Sequence, residues 1–380
     1  MAEVTTKQAA RGKFRIRHRG RGAQVGIYLG KLLRMFIYQN DWKVLPMAAL
    51  IAALVGMVVH RRFFINMEGT LMGSFAIVCV CIWNGCFNSI QVICRERDVI
   101  KREHRSGMHI SSYICAHMIY QALLCLGQTL VTLYVTSIVG VQYPKEGIVF
   151  STFSLDFAIS LFLITYASDM LSLWISALAH STTAAMTIMP FVLIFQLVFS
   201  GGMLTLPDWT KPLTQFTVSN PGLKVIAAQA DTNHRPYATI ASMVNRMRDN
   251  EIGGTVTVGQ VIDLLEDTSN PTVSELRETE VTEGMKLGEL IDAAAVSPAV
   301  LEERDHEITV KATVGQVLDL LGEDRVKAFL EEKAALANYN ADYARTAPHV
   351  VGYWAHLITF VFLFALLAMI TLEFIDKDKR

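Results

Sequence analysis

Long apolar runs with few charges, separated by charged stretches, fill much of this 380-residue chain. They lie at about 44–60, 70–94, 113–139, 148–178, 184–204 and 350–373. About 20 residues of helix cover the hydrocarbon of a bilayer, so this pattern predicts six transmembrane helices. The fourth run is longer than a membrane needs, which implies tilt or an extramembrane end. Ahead of the first run, residues 25–41 follow a different rule. Ile27, Leu29, Leu32, Leu33, Phe36 and Ile37 share one helical face, and Lys31, Arg34 and Asp41 lie away from it. A strongly two-faced helix of this kind lies along a membrane surface rather than across it.

The pattern changes again over 205–349, which is polar and carries a repeat. Thr257-Val-Gly-Gln-Val-Ile-Asp-Leu-Leu265 recurs as Thr313-Val-Gly-Gln-Val-Leu-Asp-Leu-Leu321, with a weaker copy, Lys286-Leu-Gly-Glu-Leu-Ile-Asp292, between them. Thr followed three positions later by Gln is a capping box, and the apolar residues behind it recur at helical spacing. Three short capped helices sharing one small core are predicted, three being the number at which stacked repeats become stable. Residues 325–345, free of Pro and Gly, read as a helix leading to the last span and ending before Pro348. The fold class is therefore an all-α polytopic membrane protein with an N-terminal interfacial helix and a small, mainly helical domain between spans five and six. The expected divisions are a basic tail (1–24), the interfacial helix (25–43), spans one to five with a re-entrant segment (44–224), the insert (225–349), and the last span with its tail (350–380).

Composition agrees with this class: 52% of residues are hydrophobic and 18% charged, against about a quarter charged in soluble domains. The net charge of -1 hides segregation. Ten Lys or Arg fall in the first 43 residues, including Arg11, Lys13, Arg15, Arg17, Arg19 and Arg21. Membrane-surface attraction explains this tail without nucleic acid. With six spans the tail, the charged stretch 95–105 and Lys377, Lys379 and Arg380 share one face, which the positive-inside rule makes cytoplasmic. Both termini are then inside and the insert outside, as in a bacterial inner-membrane protein. No apolar stretch ending in small residues precedes Lys31, so no cleavable signal peptide is expected. All six cysteines lie in or beside predicted spans and read as small hydrophobes. The histidines show no ligand spacing, and no metal site is expected.

Arg95-Glu96-Arg97-Asp98-Val99-Ile100-Lys101-Arg102-Glu103-His104-Arg105 joins spans two and three without a linker. Glu96 and Glu103 are two turns apart and share a face. Taken alone, the segment is an ordinary cytoplasmic loop with weak intrahelical ion pairs. Polar residues inside the spans are costly unless they face the bundle interior. Gln121, Gln128 and Asp156 read as interhelical glue. Asn84, Phe87 and Asn88 on span two, with Phe195, Gln196 and Phe199 on span five, suit a partly apolar cavity lining.

These residues, in this order, resemble type-2 ABC exporter permeases of the ABCG-like branch. An Asn/Phe/Ser patch (Asn84, Phe87, Asn88, Ser89) precedes an E-R-x-x-x-x-R-E elbow (Glu96, Arg97, Arg102, Glu103), followed by Gly107 and Tyr113. An interfacial helix precedes span one, Phe199-Ser200-Gly201 ends span five, and Leu206-Pro207-Asp208-Trp209 with Asn220-Pro221 resembles the family's re-entrant segment. The resemblance covers about 25–225 and 350–375. It implies an ATPase-coupling elbow at Arg95, Glu96, Arg97, Arg102 and Glu103, and a gate among Phe199, Gly202, Met203 and Leu204. The family often has two bulky aliphatics where this chain has Gly202 and Met203, so Phe199 or Leu204 would have to close the gate. The insert is much larger than the family's external loop.

No G-x-x-x-x-G-K-[ST] loop occurs in the sequence, so the chain itself has no phosphate cradle of that type. The resemblance implies that ATP and Mg are bound by a partner ATPase, and that this chain binds no cofactor and performs no catalysis. Its other expected partners are a second permease protomer, in a homodimer, the lipid membrane and an extracytoplasmic protein at the insert. The expected function is export of an amphipathic or lipid-like substrate. The alternative is a complex in which ATP hydrolysis rearranges the insert for signalling or mechanical work. An ion-coupled secondary carrier is disfavoured by six spans without an inverted repeat or acidic relay.

Overall fold

A computed structural model describes residues 20–38, 41–202, 207, 210–249, 251–266, 273–274, 277–278, 280–282, 285–302, 304–305, 307–315 and 323–374. The chain divides into two compact units, residues 1–235 with 340–380, and residues 236–339.

The first unit is a helical bundle. Its elements are α1 (Arg21–Tyr38), α2 (Val44–Val59), α3 (Met67–Ser89), α4 (Val92–Arg105), α5 (Ile110–Val139), α6 (Phe153–Leu178), α7 (Thr182–Val198), the single turn α8 (Lys211–Thr214) and α9 (Ser219–Gln229), closed by the C-terminal helix Ala347–Glu373. Among the described residues five helices are long and apolar enough to cross a membrane: Asp41–Val59, Met67–Arg105, Ile110–Val139, Phe153–Leu178 and Ala347–Glu373. The fifth predicted span differs. The apolar run continues to Leu204, but α7 stops at Val198 after 17 residues, about 26 Å at 1.5 Å per residue. Its stop is made by Gly201, at φ +77°, where the backbone turns in a way that side chains resist. The chain then returns as α9, whose Pro221, Leu223, Val225 and Ile226 are buried in the bundle. The fourth span is also shorter than its apolar run. Residues 148–150 form a turn whose backbone N–H groups donate to Asp156 at 2.6, 2.9 and 3.0 Å.

Burial sorts these helices. Most of α6 is enclosed, whereas α2 leaves Met47, Leu50, Leu54, Met57 and Val58 exposed as a lipid-facing stripe. Close contact of α3 with α6 depends on small residues. A methyl group at Gly85 would collide with the Thr165 carbonyl, and the Ser172 hydroxyl donates to the Cys86 carbonyl at 2.7 Å. Helices in lipid gain little from burying more apolar surface, so small faces and interhelical hydrogen bonds hold them together.

The second unit contains α10 (Ala238–Met247), β1 (Glu251–Thr257), α11 (Val258–Glu266), β2 (Glu280–Thr282), β3 (Met285–Lys286), α12 (Leu287–Ala295), α13 (Pro298–Glu302), β4 (Glu307–Thr313) and α14 (Glu323–Asn338). To the expected short helices the structure adds strands, because each repeat helix is preceded by a strand segment. Thr257 and Gln260 do form a reciprocal capping box, at 3.1 and 3.3 Å. Gln316 of the third copy lies outside the described residues. The predicted helix over 325–345 ends at Asn338.

The strands reveal a longer repeat, Arg-x-x followed by seven positions that begin with Glu and then by the helix, starting at Arg248, Arg277 and Arg304. In the middle copy the seven positions fold back, pairing Glu280 with Lys286 and Thr282 with Met285. In the outer copies they run straight and pair with each other, antiparallel, with Gly254 opposite Val310 at the centre. Helix contacts are exchanged in the same way. The Gly259 N–H donates to the Arg304 carbonyl and the Gly315 N–H to the Arg248 carbonyl, both at 2.9 Å, while Gly288 packs on Arg277 of its own copy. The outer copies are thus a swapped pair within one chain, and the middle copy is closed. Turn chemistry explains the choice. In sequence the middle copy has Glu-Gly between Thr282 and Met285, a turn-forming pair, but the third has Thr309-Val310-Lys311, and β-branched residues favour a continuous strand.

Candidate functional site

The elbow is the helix α4, anchored at three points. Its first turn is capped from α6, where the Ser176 hydroxyl accepts from Ile93 N–H at 3.0 Å and Cys94 N–H at 3.1 Å. Arg97 donates to the Ala177 and Ala179 carbonyls at 2.8 and 3.1 Å, placing a cation on the negative end of α6. Finally, the acidic face meets α1. Lys31 Nζ lies 3.0 Å from Glu96, and the Tyr28 hydroxyl donates to Glu103 at 2.8 Å. Gln24 extends this seam, donating to the Gly107 carbonyl at 3.3 Å and accepting from His109 N–H at 2.9 Å.

Glu96 and Glu103 therefore share a face, as their spacing requires, but their work is between helices rather than within one. Burial and the neighbouring Glu103 carboxylate push the Tyr28 phenol well above its ordinary range, so the donor keeps its proton at physiological pH. Arg102 is exposed beside this seam, as is Arg95. Sequence reasoning missed Tyr28, Lys31 and Gln24 as the partners of the elbow on α1. The signal was available in the polar positions of the interfacial helix, every fourth or third residue from 24 to 31.

The candidate cavity residues separate into two groups. Trp83 and Phe87 on α3 stand 6.2 Å apart and are exposed, as are Phe191, Ile194 and Phe195 on α7. Phe195 and Phe199 pack at 4.8 Å. Asn84 is buried at the same level. Asn88 is committed elsewhere: its carboxamide exchanges two hydrogen bonds with Gln128 at 2.9 and 3.0 Å. Gln196, 3% exposed, turns inward and accepts from Val218 and Ser219 N–H at 2.9 and 3.2 Å, which holds the start of α9. Asn88, half-buried, and Gln196, buried, both spend their carboxamides on neighbouring helices, as a carboxamide withdrawn from water must satisfy its own donors and acceptors.

Of the gate candidates, Met203 and Leu204 lie outside the described residues. At Gly202 an added Cβ would collide with the Leu223 side chain of α9, a neighbour that sequence spacing could not reveal.

Residues 32–220 match the ABC-2 type transporter family. The chain carries a type-2 ABC permease domain. A relative with 31% identity over 153 residues is an ABC transporter ATP-binding/permease protein of Mycobacterium tuberculosis. The match covers 40% of this chain and 17% of that protein, which combines both activities by name in one polypeptide. As a permease domain it is not itself catalytic. It is a multi-pass membrane protein. Among the described residues no cluster of three His, Cys, Asp or Glu is arranged to hold a metal.

Proposed function

We propose that this permease exports an amphipathic, lipid-like substrate as a homodimer, driven by an ATPase that docks on the surface made by α1 and α4. The ATPase is a separate polypeptide in this reading, in contrast to the combined chain of the mycobacterial relative. Both termini and the elbow face the cytoplasm, and residues 236–339 lie outside, where they cap the exit or bind a partner protein. The observation that carries the reading is the seam between α1 and α4. Lys31–Glu96 and Tyr28–Glu103 join the elbow to the interfacial helix, while Ser176 and Arg97 tie the same elbow to α6, the most buried of the five long apolar helices. A push on the elbow is therefore delivered to α6 rather than absorbed locally. The exposed aromatic and aliphatic residues of α3 and α7 provide an apolar wall suited to a second protomer and an amphipathic cargo.

Purification of the full-length protein in mild detergent, followed by an ATPase assay of what co-purifies, tests this function. A stoichiometric ATPase is expected, and Glu96→Gln or Glu103→Gln should leave assembly intact while reducing transport per ATP hydrolysed. Unchanged coupling in both variants would sink the elbow's role. The second reading, a complex that moves the insert for signalling, is favoured by the swapped repeats. Deleting 240–338 distinguishes them, because transport surviving the deletion marks the insert as accessory.

A further inference from the structure

A column of polar groups runs from the elbow into the bundle. Tyr113, His117 and Gln121 lie at i, i+4 and i+8 on one face of α5, spanning about 12 Å of helix. They are 2%, 1% and 1% exposed. The Tyr113 hydroxyl, both ring nitrogens of His117 and the Gln121 carbonyl oxygen have no protein hydrogen-bond partner. Four unpaired polar atoms close together at membrane depth are too costly to be incidental.

Both ends of the column are connected. At the elbow end the Tyr113 ring stands edge-on to Tyr28 at 5.6 Å, and Tyr28 donates to Glu103. At the inner end Gln121 Nε2 donates to Ser89 Oγ at 2.8 Å, and Ser89 donates to Asp169. Cys125 and Asn88 reach the other Asp169 oxygen at 3.2 and 3.4 Å. Asp169 is fully buried, and among the described residues no cation reaches it. A carboxylate at this depth that meets only neutral donors is unfavourable, and a bound proton removes that cost.

We propose that Tyr113, His117 and Gln121 hold a file of water molecules through which Asp169 exchanges a proton with solvent at the elbow. Water suits these atoms, since each molecule needs two to four polar partners and the column offers donors and acceptors in turn. On release, the carboxylic O–H bond of Asp169 breaks as its proton passes to Ser89 Oγ, and the Ser89 hydroxyl gives its own proton to the water at Gln121, from which it travels along the file to solvent near Glu103. The carboxylate left behind accepts from Ser89, Asn88 and Cys125; uptake is the reverse, and no electrons are transferred. The titratable groups facing Asp169 are Cys86 on α3, Cys125 and Tyr120 on α5, and Tyr166 on its own helix. Lys31, Arg95, Glu96 and Glu103 influence the elbow end. This inference needs the bundle to lie in a membrane but not the export reading.

Infrared spectroscopy of the full-length protein in lipid nanodiscs, with isotope-labelled aspartate, tests the proposal. A protonated aspartate carbonyl band is expected near neutral pH, shifted by transfer to heavy water and absent in Asp169→Asn. In His117→Leu and Gln121→Leu the band should persist while its deuterium exchange slows severalfold. Absence of the band in wild-type protein would overturn the protonation, and exchange unaffected by both leucine variants would overturn the water file. The isotope label reads the wild-type chain directly, so the result stands even where Asp169→Asn does not assemble.

Discussion

Removing one hydroxyl group, in Tyr28→Phe, should loosen the seam between α1 and α4 without disturbing apolar packing. The hydroxyl donates to Glu103 at 2.8 Å, and both side chains are half-buried. A hydrogen bond to a charged acceptor contributes about 1.5–3 kcal/mol, and partial exposure places this one near the lower limit. The neighbouring Lys31–Glu96 pair, with side chains 36% and 15% exposed, adds about 1 kcal/mol or less. Loss of about 1.4 kcal/mol corresponds to tenfold in a local opening equilibrium. Amide exchange in Arg21–Tyr38, read by mass spectrometry on the detergent-solubilised protein, should therefore accelerate about tenfold in Tyr28→Phe. Glu103→Gln should do nearly the same, and the double variant should add little, because both changes remove one interaction. The sign with pH follows from the raised phenol. The folded value lies above the ordinary one of about 10, so the contribution is complete below pH 10 and is lost only as pH climbs through the still higher folded value. Exchange in α1 that is unchanged in Tyr28→Phe, or effects of the two single variants that simply add, would refute the seam.

Three further outcomes are expected. Gly85→Ala should force α3 away from the Thr165 carbonyl and cost roughly 1–3 kcal/mol or more, seen as a lower thermal midpoint in detergent. Asp156→Ala strands three backbone donors of residues 148–150 that water can partly reach; a loss of about 2–4 kcal/mol is expected, with Asp156→Asn recovering part, and equal stability of Ala and Asn would show that the turn does not depend on the side chain. Placing turn residues in the third repeat, as V310N together with K311G, should favour its closed hairpin over the swap with β1; faster amide exchange in Glu251–Thr257 is the expected reading, and unchanged protection would mean that register is held elsewhere.

Much of this protein was legible in its sequence because lipid is an exacting solvent. Apolar runs, the two-faced helix before the first span, the basic flanks and the Glu96–Glu103 spacing follow from local rules of length, period and charge, and helices stand at most of the apolar runs. The capping box at Thr257–Gln260 was likewise local. What the sequence could not determine were partners distant along the chain. The end of α7 was misread because hydropathy continues through Phe199–Leu204, whereas Gly201 and the docking of α9 decide where the helix stops. Gln196 and Asn88 stood out from their helical faces, but their hydrogen bonds to Val218, Ser219 and Gln128 could not be read there. Leu223 fills the space at Gly202 from 21 residues away. The repeat was visible as a repeat, yet its swap was not, because a strand that can close on itself or pair with its twin satisfies the same local preferences. Only tertiary packing, which must pair every buried polar group and fill every close contact, chooses between such alternatives.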